Sequence, residues 1–417
     1  NGSLRIAPHL EVATMLIAQW DETVATEATW LSWTFEGIEH TSPQVAREPG
    51  SYSEALLGLP ADVSTDVVLH HLVAGVERTS DPLTATTGSL PPGLPAPVLV
   101  ASDPARMRTE PYVLTSVNAG DNNFFGPCYT VVLDAQGRIV WYRPTSGSRL
   151  TVGPRIARSG GYLLIDESVT YVGGDATVTR TTLDLLQQET IPVPGMFLVF
   201  DELDDGSLLL DGRVSDFEFH LTRQYPDGTQ ERIWSCNPWM APFSSGYWAC
   251  APNTLEWSPE RGTVLWSMFQ TSTVAEVDLA TGEVVAEFGQ FPGGATFAPR
   301  SANLELQHNP NWTSDGTFLV STHVPGDDGV QMAREFAWDE SAGTLTEIWS
   351  AEAPAYAEYE GGIWKLGNGN YLWELGTAGI LVELTPEGDE VWKIDWDRHM
   401  TGTVTVLTDL YALDAGF

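Results

Sequence analysis

The sequence has little positive charge. Its 417 residues include 20 Lys or Arg against 56 Asp or Glu, and its two lysines are Lys365 and Lys393. A net charge of −36 repels other polyanions. The balance therefore excludes nucleic acid and anionic membrane surfaces as partners, and it is typical of a protein that stays soluble in a saline exterior.

Several motifs are also absent. No apolar run approaches the ~20 residues of a transmembrane helix, so no membrane span is expected. A nucleophile elbow, a phosphate-binding loop, a CxxC pair and an HExxH motif are all missing, which argues against the common hydrolases, nucleotide enzymes and zinc proteases. We expect no cofactor and no metal. The acidic turns at Asp201 and Pro325 have carboxylates, the ligand type that Ca²⁺ prefers. They lack the EF-hand spacing, however, and are better explained as solvated turns.

Cysteine is scarce, with three in the chain. Cys236 and Cys250 flank a loop rich in Pro, Ser and Trp, and their proximity predicts a disulfide, while Cys128 is left over and expected to be buried. A disulfide implies an oxidising compartment. The sequence also begins at Asn1 without an initiator Met, as expected after removal of a signal peptide. These features predict an extracytoplasmic protein, either secreted or periplasmic.

What the sequence does have is a repeat. One unit is a strand, a turn with Gly and a strand ending on an aromatic residue, and it closes on Trp141, Trp234, Phe288, Trp349 and Trp392. A polar Gly turn and a very apolar strand precede each unit, so that together they make four strands. Five such blades fit between about residues 150 and 396. The hairpin Tyr129–Tyr142 and the tail after Thr403 complete a sixth, which predicts an all-β, six-bladed β-propeller closed by both chain ends.

The proline-rich segment Leu90–Pro97 separates this repeat from a shorter region. There, Val12–Trp20, Ala28–Phe35 and Thr65–Val73 alternate apolar and polar residues at the strand period. The pattern predicts a small β-sandwich of the fibronectin III-like or immunoglobulin-like kind. The expected domains are the sandwich at 1–90, a linker and lead-in at 91–124, and the propeller at 125–417.

Three stretches carry a family resemblance. LQHNPNWTSDGTFLVST begins at Leu306, an NGN strand opening begins at Asn368, and ELTPEGDEVW begins at Glu383. Over about residues 125 to 415 the chain resembles the bacterial arylsulfotransferases. The resemblance implies a central funnel in which a histidine takes a sulfuryl group from an aryl sulfate and passes it to a phenol. It implies His308 as that catalytic nucleophile, since His308 occupies the place of the family's QHD histidine.

The blade register locates the funnel. Aligning the blades places five equivalent residues where the inner strands begin, namely Gly153, Val199, Asn253, His308 and Gly362. Asn253 is at such a position and Gln307 is next to one. The full set of candidate substrate-binding residues is Asn253, Gln307, His323, Arg334, Tyr359 and Glu360. The resemblance gives His323 and Arg334 the role of binding sulfuryl oxygens and Asn253 that of an orienting group.

Other functions stay open because the chain departs from the family, as at Ala251, where the family has a second funnel histidine. One alternative is a non-catalytic propeller that binds a small molecule, a glycan or a protein partner. The other is a lyase or hydrolase that uses His308, Tyr359 and Glu360 for acid–base chemistry. Three or more inward cations would favour sulfuryl transfer, whereas carboxylates and Tyr would favour the lyase. The expected partner is a small molecule, aromatic or sulfated, and no sequence pattern addresses the oligomeric state.

Overall fold

The computed structural model describes residues 4–120, 124–147, 149–168, 175–215, 217–324 and 327–416, with the backbone alone at 327 and 328. Regular structure in these ranges is nearly all β. The helical segments are short: α1 Cys236–Met240 and the 3₁₀ turns Arg300–Ala302, Gly376–Ala378 and Tyr411–Leu413. None of the helices described is long and apolar enough to cross a membrane.

The N-terminal region forms two sheets. Its strands are β1 Arg5–Pro8, β2 Leu16–Glu22, β3 Thr26–Phe35, β4 Ile38–Thr41, β5 Val45–Arg47, β6 Gly50–Leu56, β7 Ser64–Val73, β8 Val76–Thr79 and β9 Leu83–Thr86. One sheet has the order β1-β2-β6 and the other β4-β3-β7-β8, with β5 on β3 and β9 on β7. The alternation predicted three of these strands, β2, β3 and β7; in β2, Leu16, Ala18 and Trp20 face the buried core between the sheets.

The sandwich packs against the rest of the chain through polar and apolar contacts. The backbone N–H of Ala13 donates to Tyr142 Oη at 2.9 Å, and the Thr14 hydroxyl donates to the Val140 carbonyl at 2.8 Å. Val12 and Met15 are buried in a core cluster shared with propeller strands. The two regions therefore share apolar core and are not joined only by a linker.

The remaining strands follow in chain order. They are β10 Val98–Ser102, β11 Tyr112–Asn118, β12 Cys128–Asp134, β13 Ile139–Pro144, β14 Arg155–Ile156, β15 Leu163–Glu167, β16 Thr177–Thr181, β17 Gln188–Pro192, β18 Met196–Glu202, β19 Leu208–Ser215, β20 Glu218–Gln224, β21 Gln230–Ser235, β22 Pro252–Ser258, β23 Thr263–Met268, β24 Thr273–Asp278, β25 Val284–Gly289, β26 Thr296–Ala298, β27 His308–Trp312, β28 Phe318–Val324, β29 Asp327–Asp339, β30 Thr344–Glu352, β31 Gly362–Lys365, β32 Tyr371–Leu375, β33 Ile380–Leu384, β34 Glu390–Asp395 and β35 Thr405–Leu407.

These strands form six blades. Five consecutive antiparallel sheets, β14–β17, β18–β21, β22–β25, β27–β30 and β31–β34, are blades 1 to 5. The first strands of blades 2 to 5, β18, β22, β27 and β31, contact one another in turn along the central channel. The sixth sheet has the order β13-β12-β11-β35 and closes the ring. The chain is thus an all-β, six-bladed propeller preceded by a β-sandwich, as its repeat predicts.

Ring closure differs in detail from the prediction. The tail contributes one strand, β35, and the strand between β35 and the hairpin β12–β13 is β11, which lies in the predicted lead-in at 91–124. The strand β10, also in that segment, pairs with β34 and adds a fifth strand to blade 5. This segment therefore belongs to the propeller sheets. The four prolines and one glycine of Leu90–Pro97 mark the break before it but carry no information about the pairing that follows.

The repeated tryptophans join neighbouring blades. The indole N–H groups of Trp141, Trp349 and Trp392 donate to main-chain carbonyls of the next blade, at 2.8, 2.8 and 2.9 Å. A buried indole is large enough to reach across the gap and needs one acceptor for its N–H. The aromatic position that defines the repeat in sequence is thus the position that fixes blade-to-blade packing.

Candidate functional site

A cavity of about 280 Å³, here called the mouth pocket, lies where the inner strands of four blades begin. The first residues of β18, β22 and β27 line it, together with segments before β12, β22 and β31 and after β23. The lining residues are Phe124, Phe197, Leu198, Trp248, Ala251, Pro252, Asn253, Phe269, Gln270, His308, Tyr359 and Glu360. A smaller cavity of about 20 Å³, the inner chamber, adjoins it and shares Leu198, Asn253 and Glu360. Gly153, Val199, Asn253 and His308 line these two cavities, as the blade register predicts for the channel.

A larger groove of about 790 Å³ lies beside the mouth on blade 5. Its residues, such as Glu358, Asp397 and Arg398, are largely exposed to solvent. Such a surface keeps charges hydrated and gives little control over protonation. We therefore place the candidate site in the mouth pocket, where buried polar groups meet apolar walls.

His308 is buried at the start of β27 with 4% of its surface exposed, and its ring lies 5.1 Å from that of Phe269. Its Nδ1 lies 3.2 Å from the Leu306 carbonyl, which can only accept, so Nδ1 carries the proton and Nε2 a lone pair. Burial, together with nearby His323, lowers the pKa of His308 to about 3. The imidazole is therefore neutral at physiological pH and cannot supply positive charge.

Glu360 is the carboxyl of the mouth pocket. Burial and the nearby Asp166 carboxyl raise the pKa of Glu360 to about 7. No hydrogen bond or ion pair to this carboxyl occurs among the described residues. Glu360 lines both the mouth pocket and the inner chamber, which also contains Asp166. A carboxyl that titrates near neutral pH is suited to accept and release protons.

Backbone strain concentrates around this pocket. Leu306 and Asn309, on either side of His308, have φ of +45° and +47°, and Trp248 and Glu360 both have φ of +58°. Residues other than glycine adopt this left-handed region at an energetic cost, and such residues cluster at ligand sites. The turns that present these side chains are therefore held in place by the surrounding blades.

Asn253 and Tyr359 also line the mouth pocket. The Asn253 amide donates to the Gln307 carbonyl at 2.7 Å, while its buried Oδ1 has no partner among the described residues. Tyr359 is 38% exposed, and its hydrogen bond to Glu358 raises the pKa of the phenol, so the hydroxyl stays protonated. These two predicted residues thus share the cavity with His308 and Glu360.

The other predicted ligands lie outside the mouth pocket. The Gln307 amide is fully buried and donates to Ser267 Oγ and to the carbonyls of Met268 and Thr273, so it links blades 3 and 4. Arg334 lies in β29, the third strand of blade 4, and pairs with Glu347. It lies two strands outward from the channel and lines neither cavity, and this position disfavours a role in binding sulfuryl oxygens.

His323 is buried at the end of β28, with its ring 5.1 Å from that of Tyr356. It lines neither the mouth pocket nor the inner chamber, although its proximity lowers the pKa of His308. Burial lowers the pKa of His323 as well, so this ring adds no positive charge to the site. His323 is a neighbour of the site and not part of its wall.

Sequence reasoning missed Arg155, the one cation among the described residues that line the two cavities. It lies in β14, two residues after Gly153, and pairs with Asp201 at 3.5 Å and Glu256 at 3.3 Å. The blade register reaches this position, but it does not show whether a side chain points into the channel. Two carboxylates already neutralise this guanidinium.

Two buried carboxylates in the second strands of blades 1 and 2 accept hydrogen bonds from the backbone where the inner strands begin. Asp166 accepts from the Thr151 hydroxyl and the amides of Val152 and Gly153, at 2.8 to 3.1 Å. Asp211 does the same for the amides of Phe197, Leu198 and Val199, at 2.8 to 3.0 Å. The signal in the sequence was an acidic residue inside a very apolar strand, which a burial argument would have singled out.

A disulfide joins Cys236 and Cys250, and Cys128 is free and buried. The loop between the bonded cysteines carries Trp248 onto the pocket wall, where it lies 5.5 Å from Phe197. The cross-link restricts this loop and so helps to fix the aromatic wall. Among the described residues, no group of three or more His, Cys, Asp or Glu is placed to hold a metal, and the turn at Pro325 lies outside the described side chains.

No protein-family model and no curated protein matches the chain. Among solved structures it is similar to TolB from Acinetobacter baumannii, at 10% identity over 84% of this chain and 80% of that one, with a TM-score of 0.49. Virginiamycin B lyase from Staphylococcus aureus matches at 12% identity over 58% and 69%, with a TM-score of 0.37. A putative 6-phosphogluconolactonase from Bacteroides fragilis matches at 14% over 92% and 99%, with a TM-score of 0.43. Nothing about the activity of this chain follows from similarities at this level.

Proposed function

We propose that the chain is an enzyme of acid–base chemistry, of the lyase or hydrolase class, which acts on a small molecule in the mouth pocket. The observation that carries the proposal is the unpartnered carboxyl of Glu360 in that pocket, with a pKa raised to about 7 by burial and by Asp166. Such a group is ionised and protonated in comparable amounts near neutral pH, which suits a proton-transfer catalyst.

The surrounding residues have supporting roles. Glu360 accepts a proton from substrate carbon or from water. The lone pair of His308 Nε2 accepts a hydrogen bond from a substrate donor, which orients the substrate over the carboxylate. The apolar walls, including Phe197 and Phe269, exclude water and so strengthen these interactions.

Sulfuryl transfer is the second candidate, because His308 is neutral and presents a nucleophilic lone pair. This route needs fixed positive charge around three sulfuryl oxygens. Among the described residues of the two cavities that charge is limited to Arg155, which Asp201 and Glu256 already neutralise. The resemblance to arylsulfotransferases therefore remains a prediction, and the charge balance favours the acid–base proposal.

The proposal can be tested without knowing the natural substrate. Removal of the C3 proton of 5-nitrobenzisoxazole by a carboxylate breaks its N–O bond and releases a coloured cyanonitrophenolate, while the proton stays on the carboxyl. The wild type should accelerate this reaction, with a rate that rises with pH and levels off above about 7. Glu360→Gln should lower the rate about 100-fold, within the range for a positioned general base.

Two comparisons complete the test. Asp397→Asn, which changes an exposed carboxyl of the groove on blade 5 outside the mouth pocket, serves as the matched control and should keep the rate. If Glu360→Gln and the wild type, both folded by circular dichroism, open the probe equally fast, the acid–base proposal is wrong. Release of nitrophenol from 4-nitrophenyl sulfate that requires phenol and disappears in His308→Ala would instead establish sulfuryl transfer.

We also propose that the protein acts outside the cytoplasm. The support is the disulfide between Cys236 and Cys250, since such bonds persist in oxidising compartments. Non-reducing mass spectrometry of protein from its native source tests this, because a free thiol at both positions would contradict it.

A further inference from the structure

The wall of the mouth pocket is aromatic. Five rings line it, those of Phe124, Phe197, Trp248, Phe269 and Tyr359. They contact one another in pairs, with ring centres 5.4 Å apart for Phe124 and Tyr359, 5.5 Å for Phe197 and Trp248, and 6.1 Å for Phe269 and Tyr359. The faces of such rings carry partial negative charge and attract cations.

Among the described residues, the charged side chain that lines the mouth pocket is acidic. The Arg213 guanidinium lies 5.2 Å from the centre of the Phe197 ring, but Arg213 is not one of the residues that line the pocket. No Lys or Arg is among the described residues that line the mouth pocket, and His308 is neutral there. The Glu360 carboxyl, without a protein partner among those residues, lies at the end of the pocket that adjoins the inner chamber. The net charge of −36 adds a long-range attraction for cations and a repulsion for anions.

We infer that the mouth pocket binds an organic cation, a substituted ammonium with an apolar or aromatic body, whose positive charge lies against the aromatic rings and pairs with the Glu360 carboxylate. The inference names the substrate class of the site and rests on the proposed function for that site. A cavity of about 280 Å³ is near the lower limit for small-molecule sites, so it suits a compact ligand such as benzyltrimethylammonium.

The inference explains how the unpartnered carboxyl is tolerated. An ionised carboxylate in an apolar pocket needs a compensating charge. The arginine of the inner chamber, Arg155, already pairs with Asp201 and Glu256. A bound ammonium would supply the missing charge, and the partial negative charge on the faces of several desolvated rings would attract it as well.

Binding should therefore depend on pH. The titratable and charged groups that face Glu360 are the carboxyls Asp166 and Glu374, the guanidinium of Arg155, the imidazole of His308 and the phenol of Tyr359. Asp166 and Glu374 disfavour ionisation of Glu360, whereas a bound cation favours it. A cation that pairs with the ionised form binds more tightly as pH rises and reaches constant affinity above the pKa of Glu360.

The experiment compares benzyltrimethylammonium with neopentylbenzene, its neutral isostere in which carbon replaces nitrogen. Titrations followed by tryptophan fluorescence at pH 5 and pH 8 give the two affinities. We expect the cation to bind at least about tenfold more tightly than the isostere at pH 8, with a smaller difference at pH 5. Equal affinity of the two compounds at pH 8, or no binding of either to the folded wild type, would overturn the inference.

Variants locate the site. Glu360→Gln should weaken cation binding at pH 8 about tenfold and remove its pH dependence, and Trp248→Leu should weaken it at both pH values. Phe243→Leu changes an exposed ring of the same disulfide loop outside the pocket and should have no effect. Unchanged binding in Glu360→Gln and Trp248→Leu would place the cation elsewhere and refute the inference.

The two proposals fail separately. Tight cation binding together with an inactive 5-nitrobenzisoxazole assay would refute the acid–base function and leave the ligand class standing. An active assay together with equal affinity for cation and isostere would do the reverse. His308→Ala should keep its preference for the cation, since the imidazole is neutral in the pocket.

Discussion

Replacing Glu360 by Gln should make the protein relatively more stable as pH rises through neutrality. Burial and Asp166 raise the pKa of this carboxyl from 4.5 to about 7 in the folded state. The folded protein then binds the proton more tightly than the unfolded chain does. The stabilisation from the neutral carboxyl is complete below pH 4.5 and is lost as pH rises through about 7, whereas a Gln amide has no charge to bury.

The size of the effect follows from the two pKa values. The gap between 4.5 and about 7 corresponds to up to about 3 kcal/mol, at 1.36 kcal/mol for each pKa unit. Access of solvent through the pocket lowers this free energy. The electrostatic interaction of Glu360 with Asp166 and Glu374 lowers it too, because the titrations of the three carboxyls are coupled. We expect the variant to gain 1 to 3 kcal/mol over the wild type, roughly, between pH 4.5 and pH 8.5.

The measurement is urea unfolding of both proteins by tryptophan fluorescence at pH 4.5, 6, 7 and 8.5. Taking the difference between variant and wild type at each pH cancels the titration of groups that do not interact with Glu360. A difference that stays constant within about 0.5 kcal/mol over this range would show that the carboxyl is not buried as described. It would also remove the basis for a base that titrates near neutral pH.

Two further predictions concern positions outside the mouth pocket. Asp211→Ala should destabilise the protein by about 3 kcal/mol in urea unfolding, because three backbone N–H groups lose their acceptor. As a control, Asp205→Ala on an exposed turn of the same blade should cost less than about 1 kcal/mol. Similar losses in the two variants would contradict this role of Asp211. Arg334→Met should keep the rate of 5-nitrobenzisoxazole opening within about twofold while lowering stability, because it leaves Glu347 without its partner. A lower rate at unchanged stability would mean that Arg334 reaches the site after all.

The fold could be predicted well from the sequence, and the site only in part. The Trp and Gly positions recur in each blade because each marks the end of a strand or a turn. Strands and turns are determined largely by neighbouring residues, so the repeat predicts them. The same register placed Asn253 and His308 at the channel, since the start of an inner strand is a local position within each blade. It could not show that β11 closes the ring, because that pairing joins segments almost 300 residues apart.

Gln307 and Arg334 show the limit of such reasoning. Both are polar residues close to His308, in sequence or in the sheet, and both have side chains that bind other protein groups: the Gln307 amide donates to Ser267, and Arg334 pairs with Glu347. Whether a polar side chain is free for a ligand depends on which acceptors surround it, and these come from other strands. The Glu347 carboxylate that pairs with Arg334 lies on the neighbouring strand β30.

The sequence by itself determined the propeller, the sandwich before it, the nearness of Cys236 to Cys250 and the place of His308, because periodicity and short spacing are properties of adjacent residues. The tertiary structure alone decided the chemistry of the pocket. Asp166 in blade 1 and Glu360 before blade 5 are 194 positions apart in the chain, yet ring closure brings them close enough for one carboxyl to raise the pKa of the other. Burial and charge act through space, so no local pattern in the sequence could reveal a carboxyl that titrates near neutral pH.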